Sequence, residues 1–266
     1  MTASARRRTP HRTGLPRRGG PAFRAALLGL LVLAGAVTGC GAPEVDPDEG
    51  TNGVGKLAAK TIEQRARKAA ESAQAVRLSG SVAGQDSTYR LDMRLKSDGG
   101  VGEVSTKGGP RFELLRVAEE LFLKADADFW VHQDKDGEPS ASDKEAARKL
   151  EGKYVRVPPD DPSYKQLSGF TDMKVLLDGL LSLEGRRETG ERREVGGVRT
   201  IQVLAGGGRG GKLDVSLVGT PYPLRLERGG DAGVVEMAEW NKAFALRVPK
   251  KEQIVDHGSQ TTLNQG

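Results

Sequence analysis

The chain has 266 residues, 41 of them Lys or Arg against 36 Asp or Glu, for a formal charge of +5. Seven basic residues (Arg6, Arg7, Arg8, Arg12, Arg17, Arg18 and Arg24) precede Cys40 with no acid among them, so the chain from Cys40 onward carries 34 against 36. The basic balance that would favour a nucleic-acid partner is thereby gone. Cys40 is the single cysteine, which excludes an intrachain disulfide and a cysteine-based metal site.

The apolar run from Ala25 to Val37 follows the arginines directly. As a helix it would span about 20 Å against about 30 Å of hydrocarbon, long enough for a signal core and too short for a permanent transmembrane helix. It closes on Leu33-Ala34-Gly35-Ala36-Val37-Thr38-Gly39-Cys40. Thr38 and Gly39 are small enough for a peptidase to take the backbone extended, and a thiol readily forms a thioether to a diacylglyceryl group. The run resembles the lipobox of bacterial lipoproteins. That resemblance implies removal of residues 1–39 and lipidation of Cys40 as residue one of the mature chain. It implies anchoring at the extracytoplasmic face of the cell membrane, and two acyl chains at about 0.8 kcal/mol per buried CH₂ make such an anchor lasting. Arg17-Arg18 lacks the surroundings of a twin-arginine motif, and general and twin-arginine export both remain open.

Residues 40–56 are rich in Gly, Pro and acid with almost no apolar content, and read as a flexible tether. The domain is expected over 57–266. Ala58, Ile62, Ala66, Ala69 and Ala73 recur at three- and four-residue spacings, which predicts an amphipathic helix over about 57–75. The period then changes to two. Tyr89, Leu91, Met93 and Leu95 alternate with Arg90, Asp92, Arg94 and Lys96, and similar runs occur at 77–82, 101–106, 111–117, 120–124, 153–157, 199–204, 213–217, 224–227 and 234–240. Each has one apolar and one polar face, the pattern of a meandering antiparallel sheet solvated on one side. A second helix is predicted over 171–183, capped by Thr171, with Met173, Leu176, Leu177, Leu180 and Leu181 as its stripe. The two helices are the long elements that can cover the apolar face. The predicted fold class is therefore α+β, a curved antiparallel half-barrel sheet covered on its concave face by helices.

Chemistry-bearing motifs are few. Gly206–Lys212 (GGGRGGK) has the Gly-Lys of a phosphate loop, but Leu213 stands where Ser or Thr would hold magnesium, and a strand pattern follows instead of a helix, so the run reads as a flexible connection. Asp134, Asp136, Glu138, Ser140, Ser142 and Glu145 have calcium-loop spacing with Pro139 in place of the turn glycine, and read as a solvated loop. His11, His132 and His257 form no pair with metal or catalytic spacing. Asp126/Asp128 and Asp160/Asp161 read as turn and helix-start residues. No enzyme motif is found and no cofactor or metal is implied.

The candidate ligand-facing residues are the apolar ones turned toward the covering helices. They are Leu91, Met93 and Leu95, then Phe112, Leu121 and Leu123, then Leu176 and Leu180, and finally Val215, Leu226 and Met237; taken alone, they are also what an ordinary core would show. From about Ala69 to Val255 the chain resembles the actinobacterial lipoproteins of the LppX and LprG type, relatives of the LolA-like carriers. The resemblance is carried by the lipobox, "VRLSGSV" after the first helix, "DFWVH" at 128–132, "GKYVRVP" at 152–158, the leucine-rich helix after Phe170, "GTPYPLRL" at 219–226 and "RVPKKEQIVD" from Arg247. It implies an apolar cavity that accepts acyl chains of a membrane lipid or glycolipid, entered from the membrane side, with the head group held at the rim. The alternative is an interaction or sensor lipoprotein that uses the same scaffold to bind another envelope protein.

Overall fold

Period-two segments become strands because alternate side chains of a strand leave opposite faces, so one row can be buried while the other stays wet. The computed structural model describes residues 46–84, 87–132 and 139–256. The signal segment, Cys40, the start of the tether, Asp134 to Glu138 and His257 lie outside the described residues.

Helix α1 (Ala59–Glu71) precedes a meander of β1 (Ala75–Ala83), β2 (Thr88–Lys96), β3 (Gly99–Thr106), β4 (Arg111–Val117) and β5 (Glu120–Ala125). Two helices follow, α2 (Ala127–His132) and α3 (Ala141–Leu150), then β6 (Tyr154–Val157), α4 (Tyr164–Gly169) and α5 (Met173–Leu180). A second meander runs through β7 (Arg187–Val195), β8 (Val198–Ala205), β9 (Lys212–Ser216), β10 (Pro223–Glu227) and β11 (Gly233–Ala238), and β12 (Ile254–Asp256) closes the described chain. The twelve strands among the described residues form one open sheet in the order β12-β6-β5-β4-β3-β2-β1-β11-β10-β9-β8-β7. Pairing is antiparallel throughout except between β12 and β6. The predicted α+β architecture, a curved and unclosed antiparallel sheet with covering helices, is what the chain adopts.

Register aligns the apolar rows. Leu91 faces Gly80 and Val104, Met93 faces Leu78 and Gly102, and Leu114 lies between Gly102 and Leu123. In the second meander Leu226 lies between Val235 and Leu213, which faces Val203. These residues form one core with Ile62, Ala66 and Ala70 of α1 and Met173, Leu177 and Leu180 of α5. Small residues on α1 let it settle closely over β7 to β10, with α5 beside it. On the opposite face the sheet is charged: Arg77 donates from Nε and Nη2 to the two carboxylate oxygens of Asp92 at 2.8 and 2.6 Å.

Several elements differ from the sequence expectation. Helices α3 and α4 and strands β7 and β12 were not anticipated, α2 was foreshadowed only by the reading of Asp126 as a turn or helix-start residue, and β11 ends at Ala238 because Glu239 turns to a φ of 53°. The cap of α5 is Asp172, whose carboxylate accepts from the Val175 amide; Thr171 is buried and its hydroxyl donates to the Ser168 carbonyl. Residues 46–56, expected in the tether, are packed. Asp48 pairs with Arg192 at 2.6 Å, the Asn52 amide donates to the Ser216 and Gly219 carbonyls, and Val54 is buried. After β11 the chain returns to β12 across the outer side of β1 to β6, roughly 34 Å at about 4.8 Å per strand. Residues 242–250 make this crossing without regular structure, with Leu246 against Gly99 and Phe244 under the Lys96 ammonium.

Candidate functional site

The eleven residues expected to face a ligand all lie in or against the core between sheet and helices. Leu91, Met93, Leu95 and Met237 occupy its centre, Phe112, Leu121 and Leu123 the β4–β5 side, and Val215 and Leu226 the β9–β10 side. Ten of them, Leu180 included, are buried; Leu176 is half-buried on α5. The core as it stands is filled by these side chains. Met93 and Leu95 lie over the bare backbones of Gly102 and Gly100, where an added Cβ would sit 2.7 Å from the Met93 sulfur and 2.5 Å from Leu95 Cδ2. Space above two glycines is thus occupied by one flexible thioether and one leucine, side chains that can swing aside more readily than a β-branched pair.

Helix α5 closes the core from above and is lightly fixed. The residue before its cap is anchored by Arg116, which donates from Nε to the Thr171 hydroxyl at 3.0 Å and from Nη2 to the Thr171 carbonyl at 3.0 Å. Its last turn is held by Arg67 of α1, whose guanidinium donates to the Leu181 carbonyl. Between these anchors Val175 is 57% exposed and Gly179 meets nothing within 4 Å of an added Cβ. Glycine here costs about 1 kcal/mol of helix stability relative to alanine, which makes α5 easier to bend or lift.

One end of the core is closed by aromatics. Phe112 packs on Phe129 at 5.3 Å between centroids and Phe129 on Trp130 at 5.0 Å, both from α2, whose first turn is held by Asp126 accepting from the Phe129 amide. Asp126 is therefore the helix-start residue expected. Ser140, from the calcium-like run, caps α3 in a reciprocal box with Asp143.

A different corner carries two adjoining clefts of about 300 and 620 Å³ that share Arg209, Arg228 and Gly230. Three segments meet there through glycines. A Cβ on Gly229 would strike the Arg209 carbonyl oxygen, one on Gly210 the Glu184 carbonyl oxygen, and one on Gly211 would lie 2.8 Å from Leu183 Cδ2. The smaller cleft has Leu183 and Leu226 of the core in its wall, so polar rim and apolar interior adjoin. In the larger one Glu227 is held below the usual carboxylate range by the hydrogen bond from Lys212 at 2.9 Å, with Arg225 at 2.5 Å adding to the effect. The run 206–211 leads from β8 into β9 and not into a helix, so its glycines serve a strand connection. The sequence signal for this corner is a repeated Arg-Gly-Gly, at 209–211 and 228–230; its two halves gain meaning when the fold joins them.

Among the described residues no group of three His, Cys, Asp or Glu is placed to hold a metal, and no helix is long and apolar enough to cross a membrane. No protein-family model and no curated protein sequence matches the chain. Among solved structures, LprF from Mycobacterium bovis superposes on 72% of this chain and 96% of its own length, with a TM-score of 0.50 at 15% identity. The domain has the LprF fold. The Mycobacterium tuberculosis lipoprotein LppX covers 71% of this chain and 98% of its own at a TM-score of 0.38 and 10% identity. MucB, in complex with MucA, covers 74% and 61% at 0.31 and 14%. The likeness to LppX- and LprG-type lipoproteins expected from the sequence is thus met at the level of fold, through LprF.

Proposed function

We propose that this protein is a lipid-anchored envelope protein that binds the acyl chains of a membrane lipid or glycolipid between its sheet and helices α1 and α5. The observation that carries the reading is the single uninterrupted apolar inner face, roofed by a short helix held at its two ends and floored at Gly100 and Gly102 by movable side chains. An acyl chain moving from bilayer to such a space exchanges one apolar environment for another, so its transfer is nearly balanced, as suits a carrier. Anchorage through Cys40 at the extracytoplasmic face would hold the opening beside its source of ligand. Binding without catalysis is the reading that the sequence supports.

The packed state of the core favours a second reading, an interaction or sensor lipoprotein that uses the scaffold closed. Native mass spectrometry of the protein purified from its own host separates the two. A bound species with the mass of a diacyl or larger lipid supports carriage. Protein free of lipid, and unable to take any up from vesicles, overturns it.

A further inference from the structure

We infer that the corner cleft at Arg209 and Arg228 is an anion site that takes a phosphate monoester or diester, supplied by the head group of the bound lipid. As a head-group site it rests on the lipid-binding reading above; as a phosphate site it stands by itself.

Five observations place it. Arg209 and Arg228 line both clefts, and among the described residues neither guanidinium has a carboxylate or carbonyl partner. Most other arginines near this end of the sheet are engaged: Arg187 with Glu63, Arg193 with Asp214 and Arg225 with Glu227. Three acids share the clefts: Glu227, already matched by Lys212, Arg225 and Arg193 at 2.9, 2.5 and 3.6 Å, and Glu184 and Asp231, which among the described residues are not paired with either arginine. Two arginines without an acid partner thus remain on abutting backbones, and a planar guanidinium is the side chain that grips a phosphate by parallel hydrogen bonds.

The backbone there has the matching form. Gly206, Gly207 and Gly208 have φ of 55°, 65° and 91°, and Gly230 and Asp231 have 67° and 56°. Left-handed residues next to right-handed ones are what concave anion-binding backbone is built from, and at 207, 208 and 230 only glycine enters that region without strain. Finally, Leu183 and Leu226 form the inner wall of the smaller cleft and belong to the core. A ligand with phosphate on the two arginines would have its apolar portion directed to those leucines, which is the order of groups in a phospholipid or a phosphorylated glycolipid.

The test is amide NMR of the full chain in a phosphate-free maltoside detergent, titrated separately with inorganic phosphate, dihexanoyl phosphatidic acid and dihexanoylglycerol. Phosphate and phosphatidic acid should both move the amides of 207–211 and 228–231. The lipid should saturate at concentrations at least about tenfold lower, because its chains add a second tethered contact. The double variant Arg209→Gln with Arg228→Gln should lose both responses while the rest of its spectrum stays in place, Arg209 being exposed and Arg228 half-buried with no side-chain partner among the described residues. Equal affinity for the two anions would keep the site and make free phosphate its ligand. No response to either anion, or an undiminished response in the double variant, overturns the inference. Dihexanoylglycerol, which lacks the phosphate, reports on acyl binding alone, so its failure would count against lipid carriage and leave the anion site standing.

Discussion

Arg187 of β7 grips Glu63 of α1 with two nitrogens, Nε to Oε2 at 2.6 Å and Nη2 to Oε1 at 3.1 Å, and the carboxylate is almost wholly shielded from water. The edge strand therefore meets its covering helix through a charge pair and not through an apolar row. Removing Arg187 leaves Glu63 in a low-dielectric site with Arg67 Nε at 3.5 Å as its remaining cation, so Arg187→Ala should lower unfolding free energy by about 2 kcal/mol, less than for a wholly unpaired charge. Replacing both by Met should be close to neutral, because the desolvation penalty disappears along with the attraction. Chemical denaturation of the three proteins checks this. A double variant as unstable as Arg187→Ala would show that the pair itself, and not the stranded charge, matters.

The outer face offers a titration test at Tyr154. Its hydroxyl is pushed up to about 12, first by burial and then by donating to Glu113 Oε1 at 2.9 Å. Both causes favour the neutral phenol in the folded state. A folded value above the unfolded one means that the associated stability is present in full below about pH 10 and is lost as pH rises through about 12. Tyrosinate absorbance should show one of the four tyrosines ionising late, and Tyr154→Phe should remove that step. Ionisation of all tyrosines together near the ordinary value would refute the assignment.

These two sites also show what the sequence could and could not reveal. Strand β2 was legible because Leu91, Met93 and Leu95, all buried, alternate with charges along one strand. Strand β7 (RETGERREV) was not, because its inward contact is Arg187 on Glu63 and an edge strand needs charge to resist further pairing. Strand β12 has three residues and exists by parallel pairing with β6, a partner that no local pattern indicates. The Ser140–Asp143 capping box of α3 was present in the sequence but overlapped a run read as a solvated loop. The inner apolar row was readable from period alone. The Arg209–Arg228 corner was not, since it is made from segments around 184, 209 and 229 that are distant in sequence and meet through the β9–β10 pairing, the Glu184 amide on the Gly210 carbonyl and close glycine contacts.

Anchoring can be tested independently of the fold. If residues 1–39 are a signal and Cys40 is lipidated, Cys40→Ser should leave the domain folded and move the protein from the membrane fraction to unprocessed or released forms. Detergent phase partitioning, with mass spectrometry of the N-terminus, reads this out directly. Unchanged partitioning of the serine variant would remove the anchor from the account while leaving the ligand question untouched.

The decisive variant for the roof of the core is Leu180→Trp. Leu180 is 4% exposed and lies on the buried side of α5, facing the same core as Leu177 and Met173. In a core that is only ever closed, the larger ring overpacks and should cost about 1 to 3 kcal/mol. Under the proposed function α5 lifts between its anchors at Arg116 and Arg67 to admit a chain, so the indole enters space that the ligand would have used. The expected result is a stability loss under about 1 kcal/mol together with loss of acyl-chain binding. Leu176→Trp, starting from a half-buried position on the same helix, should be milder on both counts. Thermal unfolding and lipid content measured on the same preparations separate the outcomes. Strong destabilisation of Leu180→Trp, with the parent protein never carrying lipid, would defeat carriage and leave the interaction scaffold as the function of this fold.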